Sequence, residues 1–273
     1  MRISRAAWNS VVVSLSVVAT AILVLTNKQL LRSVVCGDFS ACALTLVHNL
    51  VTFAFTYAEV LYRRQPSLEE SVGSVKQAAP RTKYLLVSCL SATSLISSNV
   101  LLNAGSVLFH QLARVVCMPA GACVDVFVEG RSFSVLEASL MLSICLAAAF
   151  IVTHDQHDTI SGHSFVAVLF ISSYVATASC VRRTSRVYKL SSADILRNTL
   201  PYTIVLSALW LWLIFAIQGG NDCAFSSFSW LLLSCNCSLA IAVQFLSTWT
   251  MKEVSVGLYA IIGQVKTSTT VMF

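Results

Sequence analysis

Long apolar runs recur from one end of this chain to the other, and they narrow its folding options more than any other feature. A stretch of roughly 20 apolar residues crosses a hydrocarbon core about 30 Å thick. Nine such windows occur: Ala7 to Thr26, Phe39 to Tyr62, Tyr84 to Ala104, Ser106 to Val128, Ser134 to Thr153, Gly162 to Val181, Asn198 to Ile217, Phe228 to Trp249 and Ser255 to Phe273. Of the 273 residues 56% are hydrophobic and 11% charged, too little charge to coat a soluble domain of this length. In lipid each span must close its backbone hydrogen bonds internally. The sequence therefore predicts an all-α polytopic membrane protein with nine spans.

The first run follows Arg2 and Arg5, as a secretory leader would, but it is long, lacks a small-residue cleavage site and continues directly into Asn27-Lys28. It reads as a retained first span. Cytosolic loops are enriched in Lys and Arg, and this decides the orientation. With a cytosolic N-terminus, the cytosolic segments hold Arg2, Arg5, Arg63, Arg64, Lys76, Arg81, Lys83, Arg131, Arg182, Arg183, Arg186, Lys189, Arg197 and Lys252, and the opposite side holds Lys28 and Arg32. The net charge of +6 follows from those loops and calls for no nucleic-acid partner. The expected partner is membrane lipid.

Most of the ten cysteines fall within spans, where a thiol behaves as a small hydrophobe. Cys36 and Cys223 lie in expected lumenal loops and can in principle pair. His154, Asp155, His157 and Asp158 form a short polar loop that reads as a solvated turn rather than a metal site. No metal and no cofactor are expected. The spans contain no HExxH, GxSxG or paired-carboxylate arrangement, so the chain does not read as an enzyme.

The polar segment 154–161 divides the chain, with five spans before it and four after. An inverted repeat of five plus five spans is an established transporter plan, in which an odd number per half makes the second half enter the membrane upside down. The expected organisation is a first five-helix half over 1–153, a lumenal connector over 154–161, and helices 6 to 9 over 162–273. The plan calls for a tenth helix, so the chain is expected to be a piece of a longer protein.

Two basic residues interrupt the apolar runs: Arg114 in the fourth span and Lys266 in the ninth. An unpaired charge at bilayer depth costs at least about 2.5 to 3.5 kcal/mol, so each is expected to face a watery cavity or an anion. At 1.5 Å per residue, Arg114 lies roughly 12 Å from the lumenal end of its span and Lys266 about 16 Å from the cytosolic end of its own. Since the two spans run oppositely, both charges reach similar depth and can contact one anion. The competing reading for Arg114 is an ion pair, but Asp125 lies roughly three turns along the same helix, out of direct reach.

Several motifs accompany these charges. Asn27-Lys28, Leu44-Thr45-Leu46-Val47-His48, Asn99, Gln111-Leu112-Ala113-Arg114, Pro119, Phe133-Ser134 and Gly263-Gln264-Val265-Lys266-Thr267 resemble the NK, LTxxH, N, YQLxK, P, FS and GHxKT signatures of the nucleotide-sugar and triose-phosphate translocator family, within the drug/metabolite transporter superfamily. The resemblance runs nearly end to end. His110 replaces the usual Tyr, Arg114 the usual Lys and Gln264 the usual His, and Gln244 stands where an Asn is frequent. The ninth-span motif is similar to that of the subgroup with UDP-galactose and UDP-rhamnose carriers and related orphan carriers. Triose-phosphate carriers have a second basic residue where this chain has Thr267, which ranks a nucleotide sugar above a sugar phosphate.

The resemblance implies a Golgi or ER antiporter that exchanges a nucleotide sugar, with a UDP-sugar first, for a nucleoside monophosphate. It leaves a homodimer open. Arg114 and Lys266 would bind phosphate, the former through paired hydrogen bonds and the latter as a point charge. His48, Asn99, Gln111, Gln264 and Thr267 would orient the base, ribose or sugar, and each also suits a helix–helix contact. Asn27 and Lys28 would sit at the lumenal rim, where Lys28 can equally snorkel. The alternatives are a sugar-phosphate/phosphate antiporter and, from another class, a non-transporting structural or receptor-like membrane protein.

Overall fold

The computed structural model describes residues 5–33, 37–63, 79–104, 107–130, 132–135, 138–139, 141–143, 146, 160–218, 227–253 and 262. Among them are seven α-helices: α1 (Arg5–Ser33), α2 (Gly37–Arg63), α3 (Arg81–Ala104), α4 (Val107–Phe127), α5 (Ile160–Tyr188), α6 (Ser192–Gln218) and α7 (Ser227–Glu253). Seven of the apolar windows fall on them. The fifth window and the connector 154–161 lie mostly outside the described residues, and the ninth lies outside them save Ile262. Segments Val11–Leu31, Arg81–Asn103, Ser164–Tyr188 and Trp230–Glu253 are each long and apolar enough to cross a membrane, and Cys42–Ala58 is an apolar but shorter stretch. This is an integral membrane protein in outline, all-helical among the described residues.

Side-chain pairings set the helix directions. Arg114 packs on Phe170 near the starts of α4 and α5, and Asp125 meets Arg182 near their ends, so these two helices run parallel. His48 with Asn236 and Phe55 with Phe245 likewise make α2 and α7 parallel. The C-terminal end of α1 meets the N-terminal end of α7 at Asn27 and Asn236, an antiparallel arrangement. The start of α3, at Tyr84 and Val87, clusters with Val181 late in α5, whereas Leu101 at its end clusters with Phe170 early in α5, so these two are also antiparallel.

The bundle is apolar outside, and within it polar side chains share the interior with buried apolar clusters. Leu15, Phe165, Trp212 and Leu231 are well exposed, as lipid-facing residues would be, while Asn49, Asn236, Thr45 and Thr52 are fully buried. Lipid tails provide no drive to bury leucine, so interhelical hydrogen bonds and packing hold such helices together. Buried hydroxyls are satisfied locally: Thr20, Thr52, Thr177, Thr199 and Thr203 each donate to the carbonyl four residues earlier.

Two helix boundaries depart from the apolar windows. The sixth window stops at Val181, before the first charge, but α5 continues to Tyr188 because Arg182 is neutralised: its guanidinium lies 2.6 Å from Glu129 and 3.5 Å from Asp125. The seventh window starts at Asn198, but α6 starts at Ser192, where a capping box forms. The Ser191 hydroxyl accepts from the Asp194 amide at 3.1 Å, and the Asp194 carboxylate accepts from the Ser191 amide at 3.1 Å. Between them, Lys189 adopts φ of 52° and Leu190 N–H bonds the Ser185 carbonyl at 3.1 Å, a left-handed helix end of the Schellman type.

Candidate functional site

All seven described helices contribute to one central cavity of about 190 Å³. Its walls are rich in polar side chains: Thr20 and Asn27 from α1, Thr45, His48 and Asn49 from α2, and Ser91, Ser94, Ser98 and Asn99 from α3. To these are added His110 and Arg114 from α4, Tyr174 and Thr177 from α5, Thr199 and Thr203 from α6, and Gln244, Ser247 and Thr248 from α7. Among the described lining residues Arg114 is the one formal charge, and none is acidic.

Arg114 reaches this wall from the second turn of α4. Its guanidinium carbon lies 5.9 Å from the centre of the Phe170 ring, a cation–π contact. Its Nε is buried without a hydrogen-bond partner among the described residues. No described acid pairs with it, and Asp125, three turns on, is held by Arg182 instead. One turn earlier, His110 is almost fully buried, its Nε2 at 2.8 Å from the Ser98 hydroxyl, its ring 5.8 Å from that of Phe170, and its Nδ1 without a partner among the described residues. A buried polar group left unpaired costs about 1 to 3 kcal/mol. Two such nitrogens one helical turn apart in a cavity wall therefore mark a place that an anion would stabilise.

A hydrogen-bonded chain crosses the wall beside them. Asn236 donates to Asn27 Oδ1 at 2.7 Å and to the Thr26 hydroxyl at 2.8 Å, and accepts from His48 Nε2. Asn27 in turn donates to Asn99 at 3.5 Å, and Asn99 donates to Thr45 at 2.7 Å. Asn49 accepts from Gln244 at 3.1 Å and donates to Ser207 at 3.3 Å. Thr20, Thr177, Thr199 and Thr203 spend their protons on their own helices, so each presents a hydroxyl oxygen as an acceptor. Arg114 can thus donate to an anion while the threonines accept from a solute's hydroxyls.

Compared with known proteins, the chain matches no family model and no curated sequence.

Of the residues singled out from the sequence, Arg114, Asn27, His48 and Asn99 meet at the cavity. The last three are also bonded across helices. Lys28 is placed differently: its ammonium caps the Leu102 carbonyl in the last turn of α3, where a cation complements the unpaired carbonyls of a helix end. The backbone of Gln111 is in α4, but its side chain lies outside what is described, and Gln264, Lys266 and Thr267 lie outside the described residues. Cys36 and Cys223 do so too. Sequence reading passed over Asn236, Asn49, Tyr174 and the threonines of α5 and α6. An amide inside an otherwise apolar span was the available signal for Asn236, whereas a Thr in such a span is too common to stand out.

Proposed function

We propose that this protein is a secondary transporter for a phosphorylated, hydroxyl-rich organic anion, with a nucleotide sugar, a UDP-sugar first, exchanged for a nucleoside monophosphate. The observation that carries this reading is the central cavity, with a lone described charge at Arg114, no described acid, and hydroxyl and amide groups around it. An anion is attracted there, and the sugar's hydroxyls find acceptors. Arg114 and Lys266 would grip the phosphate together, at matching depth in the fourth and ninth spans.

The inverted-repeat plan finds support in the helix packing. Exchanging α1 with α5, α2 with α6 and α3 with α7 carries the α1–α7 contact onto α5–α3, the α3–α6 contact onto α7–α2, and α2–α6 onto itself, and all of these are contacts of the bundle. The parallel run of α4 and α5 points the same way. Two consecutive spans of one direction need a return crossing between Phe127 and Ile160, which is where the fifth apolar window stands. On this reading the chain forms a first half over 1–153 and a second over 162–273, the N-terminus is cytosolic, and the membrane is that of the Golgi or ER.

A second reading, exchange of a sugar phosphate for phosphate, is favoured by size. The cavity of about 190 Å³ is smaller than the roughly 300 to 1,000 Å³ common for small-molecule sites. Reconstitution separates the two readings. Liposomes bearing the full chain and preloaded with UMP should take up labelled UDP-sugar, and Arg114→Ala or Lys266→Ala should abolish uptake while the protein remains folded. Uptake of sugar phosphate against phosphate alone would favour the second reading, and no exchange of either class by folded protein would refute both.

A further inference from the structure

His110 stands out because nothing among the described residues accounts for its second nitrogen. Its side chain is almost wholly buried, its ring packs on Phe170, and Ser98 bonds Nε2 at 2.8 Å, yet Nδ1 is buried in the wall of the cavity without a partner among the described residues. Arg114 follows at i+4 on α4, so the two side chains share one face, with their β-carbons about 5 to 6 Å apart. The guanidinium rests over the same Phe170 ring, and its Nε is equally without a partner among the described residues. Two nitrogens thus stand on one aromatic platform, in a wall with no described acid.

Resting on the anion-transport reading above, we infer that His110 and Arg114 form one phosphate subsite, in which His110 Nδ1–H and the Arg114 guanidinium donate to separate oxygens of the same phosphate group. In this subsite the Ser98 hydroxyl sets the geometry as the donor to Nε2, which leaves the imidazole proton on Nδ1, facing the anion. Phe170 holds both donors in register, which lowers the conformational cost of gripping the phosphate. His110 therefore selects for a phosphate group, and the α2, α6 and α7 polar groups across the cavity face the rest of the solute.

The test uses the full chain in lipid nanodiscs, with UMP as the probe and uridine as the control without phosphate. His110→Phe keeps a ring against Phe170 but removes the donor, and it should weaken UMP binding by about 10- to 100-fold while leaving uridine binding unchanged. His110→Asn restores an N–H near the Nδ1 position and should recover most of the affinity. In an Arg114→Gln background, His110→Phe should cost far less, because both donors serve one phosphate. Wild-type UMP affinity in His110→Phe would overturn the subsite and leave the transport reading standing. Equal losses for UMP and uridine would overturn it as well, by showing a packing role alone. Wild-type protein that binds UMP no better than uridine would overturn both the subsite and the anion reading.

Discussion

Charge pairing at single residues decides where a cation can be buried. Asp125 is fully buried and Arg182 is 7% exposed, with Glu129 also within ion-pair distance of the guanidinium. Truncating one partner of a buried pair leaves the other charge uncompensated, at about 3 to 5 kcal/mol. Arg182→Leu should therefore lower unfolding free energy by about 3 kcal/mol in a detergent-denaturation series, where Arg186→Ala, whose partner contact is 3.9 Å from a half-exposed side chain, should change it by less than about 0.5 kcal/mol. Asn236 is the neutral counterpart, since its amide joins Thr26, Asn27 and His48 at once. Interhelical hydrogen bonds in membranes contribute about 0.6 to 2 kcal/mol each, so Asn236→Leu should destabilise by about 2 kcal/mol, more than removing any one partner. If the Asn236→Leu protein proved as stable as the parent, the network would be shown to be incidental.

At the scale of the element, helix ends are set by local chemistry that apolar windows do not register. The three residues between α5 and α6 hold both a left-handed end at Lys189 and a capping box at Ser191. A left-handed conformation costs a residue with a β-carbon about 1 kcal/mol that glycine avoids, so Lys189→Gly should raise the melting temperature. Ser191→Ala removes the acceptor for the Asp194 amide and should cost about 1 kcal/mol, read as faster hydrogen exchange in the first turn of α6. The start of α6 was readable in principle: Ser191-x-x-Asp194 has the spacing of a capping box. The extension of α5 through Arg182 was not, because it depends on Asp125 and Glu129 arriving from the end of α4 and the turn after it.

Across the whole molecule, the topology makes a prediction independent of cargo. If a fifth crossing separates the parallel helices α4 and α5, the segment near His154 lies on the opposite side of the membrane from the segment near Gly73. A glycosylation acceptor inserted at 154–158 should be modified in microsomes, and one inserted at 70–75 should not. Modification of both would refute the five-span first half, and the reverse pattern would refute the cytosolic N-terminus.

Much of the outline was legible in the sequence. Apolar windows located seven helices within several residues, because a span's composition is dictated by the thickness of the bilayer rather than by its neighbours. The expense of Arg114 in an apolar run likewise announced a polar surrounding before any contact was known. What only the tertiary structure decided is partnership. Lys28 serves a helix end, Asp125 belongs to Arg182, Asn236 ties three other polar groups together, and His110, one turn from Arg114, keeps a buried nitrogen without a partner among the described residues. Each of these pairs, apart from His110 and Arg114, joins residues remote in sequence, and hydrogen bonding acts over about 3 Å in space, a separation that spacing along a chain does not encode.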